Sequence, residues 1–243
     1  LSQTPLHIPL TFLLECDIIR FMNIRQIPAK DTYPWLLSIH YAHRIPSVSF
    51  AFGLWSDDNW LGIVTYGTPP SSPLKRGIAG DKWYSHVLEL NRLVIKENSP
   101  KNSASFLVGR SLRLLPVPSI VVSYADTAMT HIGYVYQATN FIYTGLSAKR
   151  TNWVVSGLEG KHSYTIADMS RGKENRAQYM RDTYGDKFEL VPRSRKHRYV
   201  YIVGDKEIKK EILQDLKYPI LPYPKGDTLR YSVPNLSDIV SVP

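Results

Sequence analysis

Cysteine is nearly absent: the 243-residue chain holds one, Cys16. A single thiol can close no intrachain disulfide and gives no zinc-finger spacing, which suits a reducing compartment. Long apolar runs are missing too, and nothing approaches the roughly 20 consecutive apolar residues that span a bilayer. Leu10 to Leu14 is short and lacks a basic leader, so no signal peptide is expected. Acidic residues are in deficit, 21 Asp and Glu against 30 Lys and Arg, a formal net charge of +9. The imbalance is uneven. Residues 146–243 hold 18 basic against 12 acidic side chains, and residues 1–145 hold 12 against 9. A basic half favours an anionic partner, nucleic acid first, while a merely soluble basic enzyme accounts for the same charge.

What is present is enough for a core: 43% of residues are apolar and sixteen are tyrosine, which argues against global disorder. Residues 1–23 read as a proline-punctuated lead-in, and residues 24–243 as one α/β (α+β) domain. Ile24 to Ile27 is a short strand. The spacing of Tyr33, Leu36, Leu37, His40 and Tyr41 predicts a helix from Ala29 to Arg44. Ser49 to Trp55 and Leu61 to Tyr66, joined by Asp57-Asp58-Asn59, form a hairpin. Gly67 to Gly80, rich in Pro, Ser and Gly, is expected to be a mobile loop with Lys75 and Arg76 at its crest. His86 to Ile95 is the central strand, followed by a polar loop. Ser103 to Leu115 is a helix packed through rows Val108/Leu112/Leu115 and Leu107/Leu114. Ser119 to Tyr124 is a buried strand, a short helix runs from Asp126 or Thr127 to Gln137, and Phe141 to Thr144 returns as a strand. Residues 146–198 are a basic insertion. Tyr199 to Val203 is the last strand and Asp205 to Leu216 an amphipathic helix.

A phosphate is favoured where the helix at Ser103 begins. First-turn amides have no partner inside a helix, and its dipole attracts an anion there. Lys101, Asn102, Ser103 and Ser105 add donors, and Arg92 on the preceding strand, with Leu93 and Val94, lies beside them. Many helices begin with such residues and bind nothing.

The order of elements resembles acyl-coenzyme A-dependent N-acetyltransferases of the GNAT fold: a mixed, mostly antiparallel central sheet flanked by helices, with the insertion before the last strand. VYQATNFIYTG stands where their last helix leads into a strand, so the resemblance implies that Tyr136 protonates the departing coenzyme A sulfur. A phenol with a pKa of about 10 can do so at neutral pH. The usual glycine-rich phosphate loop is absent, since KNSASFLVGR has a glycine only inside the helix, at Gly109.

Six strings in order, HYAHRIPS, LGIVTYGTPP, ELNRLVI, SFLVGRSLRLLP, VVSYADTAMTHIGYVYQATNFIYTG and KHRYVYIVGDK, resemble the Mom family of bacteriophage DNA-modification proteins. The resemblance implies an acetyl-CoA-dependent enzyme that places a methylcarbamoyl (carbamoylmethyl) group on the exocyclic amine of adenine in double-stranded DNA, protecting phage DNA from restriction in the host cytoplasm. It also implies a bound iron. His40, Asp126 and Tyr136 are the expected catalytic residues, and His40 and Asp126 the candidate metal ligands. Asp126 reads equally well as a helix N-cap, His40 as a hydrogen-bonded histidine, and Glu89, a polar residue on the central strand, as a partner of Arg92.

Arg193, Arg195, Lys196 and Arg198 form the expected DNA contact, with further cations and the aromatics Trp153, Tyr164, Tyr179 and Tyr184 interleaved through the insertion. A paired adenine must be flipped out for chemistry on its amine, and Trp83, Tyr84 or Tyr134 could stack it. Two other functions compete: an ordinary GNAT N-acetyltransferase acting on a small amine, peptide or RNA, and a non-catalytic DNA-binding protein. No membrane partner is expected, and a homodimer is left open.

Overall fold

The computed structural model describes residues 22–40, 43–129, 132–161 and 163–226. Alternating apolar segments pair into a sheet of β1 (Met22–Gln26), β2 (Phe50–Ser56), β3 (Asn59–Gly67), β4 (Val87–Ile95), β5 (Ser119–Asp126), β6 (Ile142–Leu146) and β9 (Lys196–Val203). Their order is β1-β2-β3-β4-β5-β9-β6, and every neighbouring pair is antiparallel except β4 with β5. The fold class is the expected one: mixed α/β, mostly antiparallel, with helices on both faces.

One face carries α2 (Ser103–Ser111) and α3 (Tyr134–Ala138). Leu107, Val108 and Leu112 pack there on Phe52, Tyr66, Leu90, Val121 and Tyr199. Leu114, expected on the same apolar row, is 55% exposed, because the helix tightens into a 3-10 turn over Leu112–Leu114 and rotates it outward. The other face carries α1 (Ser72–Ala79) and α6 (Lys206–Asp215), whose Ile78, Ala79 and Ile212 cover Val87, Ile120, Val122 and Val200. Trp35 and Leu36 cover Ile63 and Val94 beside them.

Three expected elements are corrected. The helix expected over 29–44 is helical over 29–39 only, opening as a 3-10 turn at Ala29–Thr32 and closing as a π turn at Trp35–Ile39, and it stops where His40 takes extended backbone. The mobile loop over 67–80 contains α1, where Pro73 sits in the first turn, the one place a helix tolerates it. Its Lys75 and Arg76 lie over the Tyr84 ring. The short helix expected to run from Asp126 or Thr127 to Gln137 is a 3-10 turn at Thr127–Met129, then α3 from Tyr134.

The insertion has a core of its own. β7 (Arg150–Val155) and β8 (Phe188–Arg193) pair with each other apart from the main sheet. With α4 (Ser163–Asp168) and α5 (Arg176–Tyr184) they bury Val155, Ile166, Met180 and Phe188. The last described stretch, residues 217–226, straps the sheet: Leu221 N–H donates to Tyr143 O, and the Tyr223 hydroxyl to Phe141 O. Among the described residues no helix is long and apolar enough to cross a membrane. The expected lead-in as far as residue 21, with Cys16, lies outside the described residues, as do Tyr41 and the C-terminal residues from 227, while the lead-in's last two residues, Met22 and Asn23, open β1.

Candidate active site

β4 and β5 are bonded over three rungs only, Val87↔Ile120, Leu88↔Val121 and Glu89↔Val122. β4 then runs on to Ile95 along β3, and β5 to Asp126 along β9. A bulge at Asn91 turns β4 away: Tyr66 faces Leu90, Thr65 faces Arg92, and Asn91 has no opposite number. Asn91 is held by Thr65 Oγ1, which donates to its Oδ1 at 2.6 Å, and by its own Nδ2, which donates to Ser47 O at 2.8 Å. At the apex the Ser123 hydroxyl donates to Leu90 O at 3.0 Å, satisfying a carbonyl the ladder has released. Beyond that point the two strand edges diverge.

Alternation of side chains puts different chemistry on the two faces of this gap. On the α2/α3 face stands Tyr136, its ring 5.3 Å from Phe141 and 5.3 Å from Tyr199. It belongs to the same cluster as Tyr66 and Leu90. The Tyr199 hydroxyl donates to Ile132 O and accepts from Gln137 Nε2 at 3.2 Å, which fixes the start of α3. Burial pushes that phenol up to about 12.

On the opposite face lie Glu89, Arg92, Tyr124, Arg198 and His40. Burial raises the Glu89 carboxyl, opposed by the nearby charges of Arg92 and Lys196. Burial, and then Glu89, raise the Tyr124 phenol. His40 is buried and lowered to about 4, first by burial and then by the Arg92 and His43 charges, so its imidazole is neutral at pH 7. Against a free value of 6.5, that buried neutral ring contributes stability fully above about pH 6.5. The contribution is lost as pH falls through about 4. Melting temperature should therefore drop on acidification across this window, and less steeply in His40→Asn. An unchanged acid slope in that variant would remove His40 as a source.

Asp126 ends β5. Burial would raise its carboxyl, but hydrogen bonds from Ser194 and the Ala128 amide, with the Lys196 charge, leave it net lowered. Its Oδ1 accepts from Ala128 N–H at 3.0 Å, the capping alternative, and its Oδ2 lies 3.3 Å from Lys196 Nζ. The charged neighbours of His40 and Asp126 are thus Arg92 and Lys196, which disfavour a cation at either. Among the described residues no group of three His, Cys, Asp or Glu converges. The donor set does not fit the expected iron.

The expected cofactor residues form one edge. Val94 is buried and Leu93 packs in the core, so only their backbone faces outward. Asn102 precedes α2 in the left-handed region (φ 65°), and Phe106 N–H is the first to bond back, to Asn102 O. Ser103 is corrected: its hydroxyl is turned into the body, donating to Pro100 O at 2.6 Å. Ser105 Oγ donates to Asn102 O at 3.0 Å, and Lys101 and Asn102 are exposed.

The expected DNA residues divide. Arg193 is exposed. Arg195 donates to Ser147 O at 2.6 Å, and Lys196 pairs with Asp126. Arg198 is corrected: it is 9% exposed, donates to Thr144 Oγ1 and Thr144 O at 2.9 Å each, and stacks 3.3 Å over the Tyr218 ring. Its cation belongs to the wall of the site. Trp83 is buried with Nε1 bonded to Asp215 at 2.7 Å, which removes it as a stacking platform. Sequence reasoning noted Glu89 and Asn91 as polar residues on the central strand but gave Glu89 no catalytic role, and it passed over Tyr124. The signal was there, a carboxylate and a phenol on the two apolar strands that later part.

The chain is similar to solved structures at low identity. An N-acetyltransferase from Staphylococcus aureus Mu50 is 13% identical, with 74% of this chain and 98% of that one covered and a TM-score of 0.40. Arabidopsis thaliana NAA60 in complex with acetyl-CoA is 11% identical, with 75% and 98% covered and a TM-score of 0.43. Among characterised proteins it is 27% identical over 191 residues to methylcarbamoylase mom of Escherichia phage Mu, 76% of each chain. Residues 21–225 match the family model described as the Mom protein family. With the match running through every element that builds the parted strands, the chain belongs to the Mom protein family.

Proposed function

We propose that this protein uses acetyl-CoA to modify the exocyclic amine of adenine in double-stranded DNA, giving the methylcarbamoyl base and protecting phage DNA from restriction. The observation that carries the reading is the parting of β4 and β5 after three rungs, with a phenol on one face and a half-buried carboxyl and a neutral imidazole on the other. The relative from phage Mu, a methylcarbamoylase, supports the group transferred.

Acetyl-CoA would supply an activated thioester. The outward backbone of Arg92, Leu93 and Val94 would line its arm, and Lys101, Asn102, Ser105 and the first-turn amides of α2 would take its phosphates. Bonding the amine to the acetyl group with coenzyme A leaving balances as acyl transfer, and the carboxamide nitrogen of a methylcarbamoyl base requires in addition a nitrogen donor and a two-electron oxidant; within the acyl step Glu89 would accept the amine's proton. A carboxyl raised by burial is better matched to that transfer near neutral pH than an ordinary one. His40, kept neutral beside Arg92, can accept a hydrogen bond on the same face. Tyr136 would donate its proton to the departing sulfur from the other face, so the two proton transfers do not compete for one group. Asp126 would hold the end of β5 through Ala128 and Lys196. The exposed cations of the insertion, with Arg193 among them, would bind backbone phosphates.

The test is mass spectrometry of nucleosides from cells expressing the chain or its Glu89→Gln variant. A new adenosine species is expected with the first and a loss of at least about a hundredfold with the second. Unmodified nucleosides from an active, soluble wild-type preparation would end the reading. An acetylated small amine, peptide or RNA with unmodified DNA would select ordinary N-acetyl transfer.

A further inference from the structure

Between β7, the α4 helix and the end of β8, the inserted unit forms a cleft of about 800 Å³, within the range of small-ligand pockets. Four arginines line it, Arg150, Arg171, Arg176 and Arg193, against one aspartate, Asp168, which pairs with Arg171 at 2.7 Å. No lysine contributes. A guanidinium fork matches a phosphate in two parallel bonds, which an ammonium cannot do.

The placement of two of these arginines points to a ligand. Arg150 and Arg193 stand directly opposite each other across the β7–β8 ladder, and both are exposed. Like charges at directly opposed positions destabilise a strand pair, and an anion bridging them reverses the sign. Arg176 is held in place: its guanidinium donates to Ala167 O and Ser170 Oγ and lies 5.6 Å from the centre of the Trp153 ring. The cleft also has aromatic surface, with Trp153 in its wall and Tyr164, 63% exposed, at its rim. Guanidinium forks beside an exposed ring suit a nucleotide, phosphate on the arginines and base on the aromatic. A phosphopeptide would use the forks and leave the ring idle.

The cleft is tied closely to the main sheet: β6 ends at Leu146, four residues before Arg150, and β9, the neighbour of β5, begins at Lys196, three residues after Arg193. We infer that this cleft holds a nucleotide of the DNA substrate neighbouring the one being modified, its phosphate bridged between Arg150 and Arg193 and its base stacked on Tyr164. The inference rests on the proposed DNA activity. It assigns a subsite that would select flanking sequence and keep the duplex open beside the flipped adenine.

The experiment is equilibrium binding of a fluorescent oligonucleotide, duplex with one unpaired adenine, to the full chain over a range of salt. Arg150→Ala and Arg193→Ala should each weaken binding and lower the slope of log affinity against log salt by about 1. Tyr164→Ala should weaken it about fivefold or more with the slope unchanged. All three side chains are exposed, so melting temperature and its rise with acetyl-CoA should match wild type. Wild-type affinity and slope in the arginine variants would overturn the inference. So would arginine losses without any loss in Tyr164→Ala, which would mark a polyanion groove holding no base. If the variants weaken DNA binding while wild-type cells hold only unmodified nucleosides, the subsite stands and the proposed activity falls.

Discussion

Tyr136→Phe should abolish the modified adenosine while leaving the melting temperature and acetyl-CoA binding close to wild type. The substitution removes one oxygen and its proton. The ring stays, and with it the packing at 5.3 Å on both Phe141 and Tyr199 that seats α3 on the sheet. What goes is the only phenol that α3 places in the cluster with Tyr66 and Leu90, beside the point where β4 leaves β5. A thiolate expelled without a proton donor leaves more slowly, and loss of a positioned general acid costs about 10²–10⁴ in rate. The measurement is nucleoside mass spectrometry with thermal melting of the same preparation. Wild-type levels of modification would take Tyr136 out of the chemistry, and a collapse in melting temperature would reassign it to packing.

Gly67→Ala should be the most damaging small substitution among the described glycines that hold the site. A Cβ there would come within 1.8 Å of Ser47 O and 2.6 Å of Ser47 C. Both are backbone atoms, so no rotamer change relieves the overlap, and the chain around Ser47 must move off the sheet. That segment accepts the Asn91 Nδ2 bond that anchors the bulge, and Asn91 Nδ2 itself would sit 3.0 Å from the new carbon. Overpacking against backbone at a buried junction costs about 3 kcal/mol, equivalent to a drop in melting temperature of about 6–12 °C for a chain of this size. Because the bulge sets where β4 turns from β5, turnover should fall further than the stability loss explains. A variant that melts and turns over like wild type would show that the bulge does not depend on this contact.

The central succession of strand, polar loop, helix, strand, short helix and strand was legible because each element has one apolar period and clear stops. Val87–Ile95, Ser103–Ser111 and Ser119–Asp126 follow from periodicity, the Asn-Ser start and the proline pair. Errors fell where one residue overrode a pattern. The helix expected to reach Arg44 stops at Ile39, where His40 turns to extended backbone. Pro73, read as a loop marker, sits in a helical first turn. The insertion looked too polar for a core because four buried side chains, Val155, Ile166, Met180 and Phe188, suffice for so small a unit and are scattered over more than thirty residues.

Arg198 shows why charge runs mislead. It stands in a basic string, Arg195 to Arg198, that reads as one surface patch. β9 alternates, so Arg198 shares a face with Val200 and Ile202 and points inward to Thr144 and Tyr218, while Arg193, before the strand begins, stays outside. Glu89, noted but given no catalytic role, and Tyr124, overlooked, were misjudged for a related reason. Each is an isolated polar residue on an apolar strand, and their chemistry exists only because the strands run parallel and bonded at Glu89↔Val122 and are parted just beyond.

By itself the sequence determined the order of the central elements, the basic bias of the second half, the family, and Tyr136 as a phenol of the short helix, since all of these are carried by local pattern and one-dimensional spacing. Only the tertiary structure decided which charges are spent inside, how Glu89, Tyr124, His40 and Arg92 come to one face, and that Arg150 meets Arg193 across a ladder. Those depend on register and on which face a side chain takes, and a shift of one residue in a strand reverses both.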